Sequence, residues 1–244
     1  MKICGRNAVE EALKSGTTID RLVVQRDLRD AGANRIIQEA KDRGIKIFFR
    51  DKTALDRETE HGGRHQGFVA EVTDFKYSEP EEILALAESR GEPPFIVILD
   101  GVEDPHNLGS VIRVAECAGV HGIIIPRHRA VSVNDTVVKV SSGAAAHIKV
   151  AKVTNINNTI AELKERGVWV YAADMEGDDL YSTDLRGPVA IVVGGEGKGV
   201  SRLTREVCDG VVSIPMFGKV NSLNASVAAA VVIYEKVRQT VAQR

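Results

Sequence analysis

The sequence IPMFGKVNSLNAS, residues 214–226, joins a predicted apolar strand at residues 210–214 to a predicted apolar helix at residues 227–237. Its short amide and hydroxyl side chains compete with the backbone for hydrogen bonds, so they favour loops and helix caps over helix interiors. Free N–H groups at the start of a helix also make such a loop a natural ligand site. Taken alone, the stretch fits a well-capped helix start as readily as a functional loop.

The composition is that of a globular protein. The chain has 244 residues, enough for one large domain or two ordinary ones, with 43% apolar and 27% charged residues. The first residues lack the apolar core of a signal peptide, and the longest apolar run, residues 227–234, is too short to span a bilayer. Three cysteines lie far apart, which is typical of reduced thiols in a cytoplasmic protein. Cys117 falls within a helical pattern, where we expect a small buried residue.

The net charge of −2 is unevenly distributed. Residues 1–76 carry 15 Lys and Arg against 13 Asp and Glu, a net charge of +2, whereas residues 77–244 carry 17 against 21, a net charge of −4. An acidic chain can bind nucleic acid if its cations share one face, so the charge is only weak support for an RNA partner.

The order of predicted helices and strands indicates two α/β domains. Residues 1–73 alternate short helices and strands, and the polar segment at 74–80, which contains a proline, interrupts the pattern. From residue 81 to residue 244, apolar strands such as 95–99 and 189–193 alternate with helical patterns. This alternation predicts a largely parallel sheet between two helical layers, in a second domain joined to the first by a linker at 74–80.

A second candidate loop, DGVEDPHNLGSVIR at residues 100–113, leaves a predicted buried strand and enters a helix. Open α/β sheets bind their ligands at this carboxyl end of the strands. Asn107 suits the N-cap of the following helix. Arg113 lies two turns further on among apolar residues, where its head group either reaches solvent or is held towards a phosphate or ribose.

A third candidate loop, GGEGKG at residues 194–199, has four glycines among six residues. Glycine allows positive φ and close approach of a ligand, although a tight strand–helix turn needs the same residues. Val200 stands where a dinucleotide-binding fingerprint requires glycine, and the spacing does not fit a nucleotide triphosphate loop.

The segments NLGSVIR (107–113), GGEGKGVS (194–201) and IPMFGKVNSLNASVA (214–228), in this order, resemble the SpoU-type RNA ribose 2′-O-methyltransferases of the SPOUT superfamily. Residues 1–76, ending with HQGFVA at 65–70, are similar to the substrate-binding domain of members that modify 23S rRNA. The resemblance implies a small N-terminal α/β ribosomal-protein-like domain. It also implies a C-terminal α/β domain whose largely parallel sheet is threaded into a trefoil knot.

The resemblance further implies a homodimer that holds S-adenosylmethionine in a bent pose, mainly through backbone groups, and needs no metal. The close pair His61 and His65 lacks cysteine partners for a zinc site. Matching positions that line the cofactor pocket are Gly194, Ile214 and Leu223, with Ala172, Gly195, Gly199 and Met216 nearby. Isoleucine and leucine suit an adenine face, and backbone groups can read its edge.

A ribose 2′-hydroxyl is a poor nucleophile, whereas a sulfonium methyl is a strong electrophile, so the protein must align the two and help remove one proton. The resemblance assigns phosphate binding and assistance in deprotonation to Arg113. Orientation and charge stabilisation are the safer roles for it, because arginine stays protonated. Further matching positions are Asn107, Glu196, Ser222 and Asn224. Glu196 either orients Arg113 or acts as the general base itself.

Candidate RNA contacts are basic residues near these loops and in the first domain. Arg127 and Arg129 flank His128 after a predicted strand, although a solvated loop explains this cluster equally well. Arg6, Arg64 and His65 are weaker candidates. The leading hypothesis is methylation of a guanosine in 23S rRNA. A tRNA ribose methyltransferase, or an RNA-binding factor that kept the fold without catalysis, are the alternatives.

Overall fold

The computed structural model describes residues 2–15, 17–28, 30–59, 64–73, 75–197 and 199–242. The chain forms two compact units, Met1–Lys76 and Tyr77–Arg244. Within the described residues, no helix is both long and apolar enough to cross a membrane. The domain limits at 73 and 81 and the linker between them stay predictions.

In the described residues of the first unit, a four-stranded sheet packs with three helices. Its elements are, in chain order, β1 (Lys2–Cys4), α1 (Arg6–Ser15), β2 (Thr18–Gln25), α2 (Ala31–Asp42), β3 (Lys46–Arg50), α3 (Lys52–Glu58) and β4 (Phe68–Thr73). The strand order is β1-β4-β2-β3, so β1 and β3 are the edges. β4 pairs antiparallel with β1 and β2, whereas β2 and β3 are parallel.

The two faces of this sheet are covered differently. Leu22 and Val24 of β2 pack with α1 and α2 in the larger core. Val23, which points the other way, packs with Val69 and with Leu55 of α3. This alternation follows from the two-residue period of a strand. The helices do not fully cover the edge strand β3, since Phe48 and Phe49 are 39% and 41% exposed.

The second unit is a six-stranded sheet with helices. Its elements are α4 (Pro80–Arg90), β5 (Phe95–Asp100), α5 (Pro105–Cys117), β6 (Gly122–Pro126), α6 (Asp135–Val140), β7 (Lys149–Val153), α7 (Ile156–Glu165), β8 (Trp169–Asp179), β9 (Val189–Gly194), α8 (Arg202–Val207), β10 (Gly210–Ser213) and α9 (Ala225–Val241). The strand order is β10-β8-β9-β5-β6-β7, and every neighbouring pair is parallel. The predicted parallel sheet is confirmed.

The apolar runs of β5 and β9 explain why these strands are central. Residues 95–99 and 189–194 are buried throughout, as expected for a parallel sheet covered on both faces. Asp100 and Gly194 are paired at the carboxyl ends of these strands. The loops that follow β5 and β9 therefore start side by side at one edge of the sheet.

Three local expectations were wrong. The N-cap of α5 is Asp104, whose carboxylate accepts from the His106 N–H at 3.0 Å. Pro105 occupies the first helical position, which it favours because it has no N–H to leave unpaired, so Asn107 lies inside the helix. Cys117 is exposed, not buried. β8 extends to Asp179, beyond the predicted end, with an irregular register against β10.

Candidate active site

The loops after β5 and β9 meet at their backbones. The Gly195 N–H donates to the Asp100 carbonyl at 2.9 Å. A Cβ atom at Gly195 would lie 2.1 Å from the Gly101 carbonyl oxygen, a distance that side chains essentially never adopt. Glycine at position 195 is therefore required for this close approach of two loops.

The glycine loop also folds back on itself. A Cβ atom at Gly194 would lie 1.9 Å from the Gly199 carbonyl carbon, and Gly199 has a positive φ of 62°. The Gly199 N–H donates to the Gly195 carbonyl at 3.1 Å. This turn directs Glu196 outwards at the carboxyl end of the sheet, so the glycines position a charged side chain as well as a turn.

Asn107, Glu196 and Asn224 form a hydrogen-bonded cluster from all three loops. The Asn107 amide nitrogen donates to Glu196 Oε1 at 2.7 Å. The Asn224 amide nitrogen donates to the same Oε1 at 2.8 Å and to Asn107 Oδ1 at 3.0 Å. Because 117 residues separate Asn107 from Asn224, only the tertiary fold brings them together.

Asn224 is held in place by the helix that it caps. Its Oδ1 accepts from the Ser226 N–H at 3.0 Å and from the Ser226 hydroxyl at 2.7 Å. This bonding directs the Asn224 amide nitrogen towards Glu196. Both amides donate to one oxygen of the Glu196 carboxylate, and Oε2 makes no hydrogen bond or ion pair within the described parts of the chain. The cluster thus presents an oriented carboxylate oxygen.

A cavity of about 770 Å³ opens beside this cluster. Among the residues that line it are Asp100, Glu103, Asp104, Asn107, His128, Arg129 and Glu196. Asp100 accepts from the Ser201 N–H at 2.9 Å, and Asp104 caps α5. Glu103, in contrast, has no hydrogen-bond or ion-pair partner in the part of the chain that the structure describes, and it is exposed. The cavity is therefore lined by both acidic side chains, such as Glu103 and Glu196, and the basic side chain of Arg129.

Arg113 lies outside the cluster. Its guanidinium is exposed, and Nη1 donates to the Ser142 hydroxyl at 3.3 Å. Glu196 bonds to the two asparagines and not to Arg113. Ser142 and Arg129 have positive φ values of 52° and 55°, which cost free energy for residues other than glycine. One of these strained residues contacts Arg113, and the other lines the cavity.

The loop at residues 214–223 has the character expected of a cofactor-binding segment. No backbone–backbone hydrogen bond joins it to any other described residue, so its N–H and C=O groups are free to bind a ligand. Ile214 is half-buried, and Met216 and Leu223 are 37% and 40% exposed. Ser222 is exposed in the same loop. These free backbone groups and apolar side chains fit an adenine ring and its edge.

Ala172 lies at the base of this region. It is fully buried in β8, opposite Val211 of β10 and Val192 of β9. Ala172 therefore has little surface for direct contact with a cofactor, although it lies in the sheet between the strands that lead into the glycine loop and the 214–223 loop. Its assignment to the cofactor site stays a prediction.

The predicted RNA contacts are separated by the structure. Arg129 lines the cavity, whereas Arg127 is exposed and is absent from its lining. In the first unit, Arg6 pairs with Asp30 at 2.6 Å, and the buried His65 bonds to Asp56 and to the Gly67 N–H. Arg64 is exposed. These five assignments stay predictions, and His65 already has a structural role.

The Cys208 thiol is not a reactive group. Burial raises the pKa of the Cys208 thiol to about 12, which leaves it protonated and a poor nucleophile. Among the described residues, no group of three or more His, Cys, Asp or Glu side chains could hold a metal ion. His61, the partner of His65 in sequence, lies outside the described residues.

Glu103 lines the cavity but was not singled out from the sequence. It lies within the loop at residues 100–113 that was already singled out, but no spacing rule distinguished it from Asp104. The only available signal was that Pro105 favours the first position of a helix, which makes Asp104 the cap and leaves Glu103 free.

Comparison with known proteins identifies the family of both units. Residues 94–234 match the SpoU rRNA Methylase family, and residues 2–78 match the module described as RNA 2′-O ribose methyltransferase substrate binding. YacO of Bacillus subtilis, named as a TrmH family tRNA/rRNA methyltransferase, is 45% identical over 238 residues, which are 97% of this chain and 95% of that protein.

Two solved structures are similar. The SpoU methyltransferase AviRb of Streptomyces viridochromogenes, in complex with AdoMet, is 25% identical with a TM-score of 0.63, covering 99% of this chain and 91% of its own. The A. aeolicus TrmH/SpoU tRNA modifying enzyme is 28% identical with a TM-score of 0.58, covering 67% and 84%.

The fold and the family matches define an RNA methyltransferase with S-adenosylmethionine as its cofactor. More specifically, the chain belongs to the SpoU family, and its N-terminal module is the substrate-binding module of that family.

Proposed function

We propose that this enzyme transfers a methyl group to the ribose 2′-hydroxyl of a guanosine in 23S rRNA, in the cytoplasm. The observation that carries the proposal is the Asn107–Glu196–Asn224 cluster. It joins the cavity, which we assign to the RNA, to the loop with free backbone groups at residues 214–223. When bound, S-adenosylmethionine supplies an electrophilic methyl group.

Glu196 acts as the general base in this proposal. Its Oε1 is saturated by two amide N–H donors, which fix the carboxylate plane and leave Oε2 to accept the 2′-hydroxyl proton. A positioned base of this kind contributes about 10²–10⁴-fold to the rate. Asn107 and Asn224 are positioning residues, because they act on the ribose only through Glu196.

Arg113 binds an RNA phosphate. Its exposed guanidinium is not neutralised by a carboxylate within the described residues, and its hydroxyl partner Ser142 carries no charge. A guanidinium binds phosphate through two parallel hydrogen bonds, so it can fix the position of the target nucleotide. Ser222 and Arg127 complete the set of polar groups assigned to the RNA side.

The cofactor binds between the glycine loop and the 214–223 loop. Gly194, Gly195 and Gly199 provide close backbone approach, while Ile214, Met216 and Leu223 provide apolar surface. We further propose that these two loops form a trefoil knot, as the family resemblance implies. The contacts of Gly194 with Gly199, and of Gly195 with Gly101, support such tight threading.

Guanine specificity is assigned to the cavity. Guanine presents N1–H and N2–H donors on one edge, and a carboxylate can accept from both. Glu103 is the carboxylate in the cavity lining without a partner in the described chain. Adenine, cytosine and uracil do not offer two adjacent donors on that edge, so Glu103 favours guanosine.

A 23S rRNA substrate is favoured over tRNA by the two-unit organisation. The tRNA modifying relative from A. aeolicus matches only 67% of this chain, whereas AviRb, which is similar over 99%, shares both units. The additional substrate-binding module at residues 2–78 gives the enzyme a larger surface for a large RNA.

A homodimer is supported by α9. Val227, Tyr234 and Val241 recur every seven residues and are 48%, 49% and 59% exposed. A seven-residue period places the three side chains on one face of a helix, where exposed apolar residues indicate a protein interface. Phe217 and Val220 in the preceding loop are 98% and 74% exposed and extend the apolar surface.

The proposal is tested by incubating the enzyme with tritium-labelled S-adenosylmethionine and separated 23S rRNA, 16S rRNA and tRNA. Label in 23S rRNA, mapped by primer extension to a guanosine ribose, is the expected result. Label in tRNA alone would assign the enzyme to the alternative substrate. Tight RNA binding without any incorporation would identify a non-catalytic factor.

A further inference from the structure

One face of the edge strand β3 carries an aromatic ring between two cations. Lys46, Phe48 and Arg50 alternate with Ile47 and Phe49, so the first three side chains share a face. Arg50 Cζ lies 6.0 Å from the centre of the Phe48 ring, which is consistent with this arrangement. Phe48 is 39% exposed, and Lys46 and Arg50 are exposed.

The cations on this face exceed the carboxylates that could neutralise them. In the sheet register, Lys2 lies opposite Glu71, and Arg21 lies opposite Lys46. Arg21 pairs with Glu71 at 2.7 Å and with Glu58 at 3.3 Å. Lys46 has no ion-pair partner within the described residues, and it faces a like charge across the strands, which destabilises a sheet unless an anion is present.

The Glu58 carboxylate already interacts with more than one cation. Glu58 accepts from Lys2 at 2.7 Å. The hydrogen bond from Lys2, together with the charges of Arg21, Lys2 and Arg50, lowers the pKa of the Glu58 carboxyl. Glu58 and Glu71 are therefore already shared among Lys2, Arg21 and Arg50. Lys46 and the outer face of Arg50 are left for an external anion.

We propose that Lys46, Phe48 and Arg50 form an RNA-binding face on which Phe48 stacks against an unpaired base while the two cations contact the flanking phosphates. Aromatic rings stack on bases of any sequence, and cations beside them bind the backbone. This inference rests on the proposed function, since it assigns a contact surface for the same RNA. It gives the substrate-binding module a defined face of its own.

The structure offers a matched control in the neighbouring residue. Phe49 is the same residue type, is 41% exposed, and lies opposite Val24 on the other face of the strand. We expect Phe48→Ala in the full-length chain to weaken binding of a 23S rRNA transcript by about 10-fold, as for the loss of one stacked base. Phe49→Ala should leave the affinity within about twofold, and Phe48→Tyr should restore it.

The cations are tested by the salt dependence of the same binding reaction. The double substitution Lys46→Ala and Arg50→Ala should flatten the slope of log affinity against log salt by about 0.7 for each phosphate that is no longer neutralised. Phe48→Ala should weaken binding with the slope unchanged. Lys41→Ala, an exposed lysine on α2, serves as the charge control.

Several results would overturn the inference. These are equal losses of RNA affinity for Phe48→Ala and Phe49→Ala, unchanged RNA affinity in both, or a change of molecular mass in Phe48→Ala that reveals pairing of β3 with a second copy.

In steady-state assays, Phe48→Ala should raise KM for the RNA and leave kcat intact. If wild-type enzyme methylates RNA while Phe48→Ala does so equally well, this face fails and the proposed function stands. If wild-type enzyme methylates no RNA, the proposed function itself fails.

Discussion

The Asn107 amide nitrogen lies 2.7 Å from Glu196 Oε1, although 89 residues separate the two. Asn107 is buried within α5, whereas Glu196 is exposed at the glycine loop after β9. The bond therefore links the buried first turn of α5 to the exposed turn of the glycine loop. Asn224 closes the cluster from the third loop by donating to the same oxygen.

Asn224→Asp tests the cluster. It replaces an N–H donor with a carboxylate that faces Glu196 Oε1, so attraction becomes repulsion and Glu196 loses its orientation. Hydrogen bonds to charged groups contribute about 1.5–3 kcal/mol, so kcat should fall about 10- to 100-fold. Asn221→Asp is the control, since Asn221 is exposed in the same loop and has no hydrogen bond to another described residue. Equal loss in both variants would mean that loop charge, not the cluster, matters.

Arg113→Ala tests phosphate binding. Methyl transfer should fall below detection, while calorimetry should show nearly unchanged affinity for S-adenosylmethionine, because the one side-chain hydrogen bond of Arg113 within the described residues goes to Ser142 and not to either cofactor loop. Arg202→Ala, which removes another exposed arginine, should leave transfer unchanged. Simultaneous loss of cofactor affinity in Arg113→Ala would show that Arg113 has a structural role instead.

Leu223→Asp tests the cofactor site. A carboxylate in an apolar pocket must be desolvated, which costs several kcal/mol, so affinity for S-adenosylmethionine should fall at least about 10-fold. Leu203→Asp on α8 introduces the same charge at a residue that is 62% exposed, and it should bind the cofactor normally. Unchanged affinity in Leu223→Asp would remove Leu223 from the site.

Tyr234→Glu tests the homodimer. Its side chain lies in the centre of the exposed apolar stripe on α9, so a charge there should disrupt an interface and halve the molecular mass measured by light scattering. Leu203→Asp should leave the mass unchanged. A wild-type mass of a single chain at micromolar concentration would contradict the proposed dimer directly.

His121 should make stability depend on pH. Burial lowers the pKa of His121, an effect that Glu92 partly opposes and Arg90 reinforces. On acidification from about pH 7.5, the unfolded chain takes up this proton near pH 6.5, whereas folded His121 takes it up only at lower pH. The free energy of unfolding contributed by this residue is therefore complete above about pH 6.5 and falls below it.

Urea titrations of wild type and His121→Gln measure this effect. The variant should lose less stability on acidification than the wild type, although its stability at neutral pH is lower, because Nδ1 accepts from the Phe95 N–H at 3.0 Å. Identical pH profiles for the two proteins would assign the acid sensitivity to other groups.

Part of the candidate site could be located from the sequence because its residues lie in contiguous loops, although Glu196 and Asn224 were singled out through the family resemblance and their roles stay predictions. Gly194, Gly195 and Glu196 are adjacent in sequence, and Asn224 immediately precedes the helix that it caps. The parallel sheet follows from buried apolar runs, such as those of β5 and β9. The glycine loop and the buried strands depend on local composition, which residue propensity and hydrophobic periodicity can detect.

Features that depend on tertiary contacts could not be predicted in this way. Propensity favoured Asn107 as the cap of α5, but Asp104 caps it and the Asn107 side chain bonds to Glu196 instead. Cys117 has helical neighbours on both sides, yet its position on α5 faces solvent. The short strand β1 was missed, because three residues give too little periodicity and its pairing with β4 spans more than 60 residues.

The role of Glu196 as the general base is tested by methyl-transfer assays of the wild-type enzyme and Glu196→Gln. Both proteins are assayed side by side with labelled S-adenosylmethionine and 23S rRNA. We expect label on a guanosine 2′-oxygen with the wild type, and at least about 100-fold slower transfer by a variant that still binds the cofactor. Equal rates for the two proteins, or label on a base instead of a ribose, would contradict it.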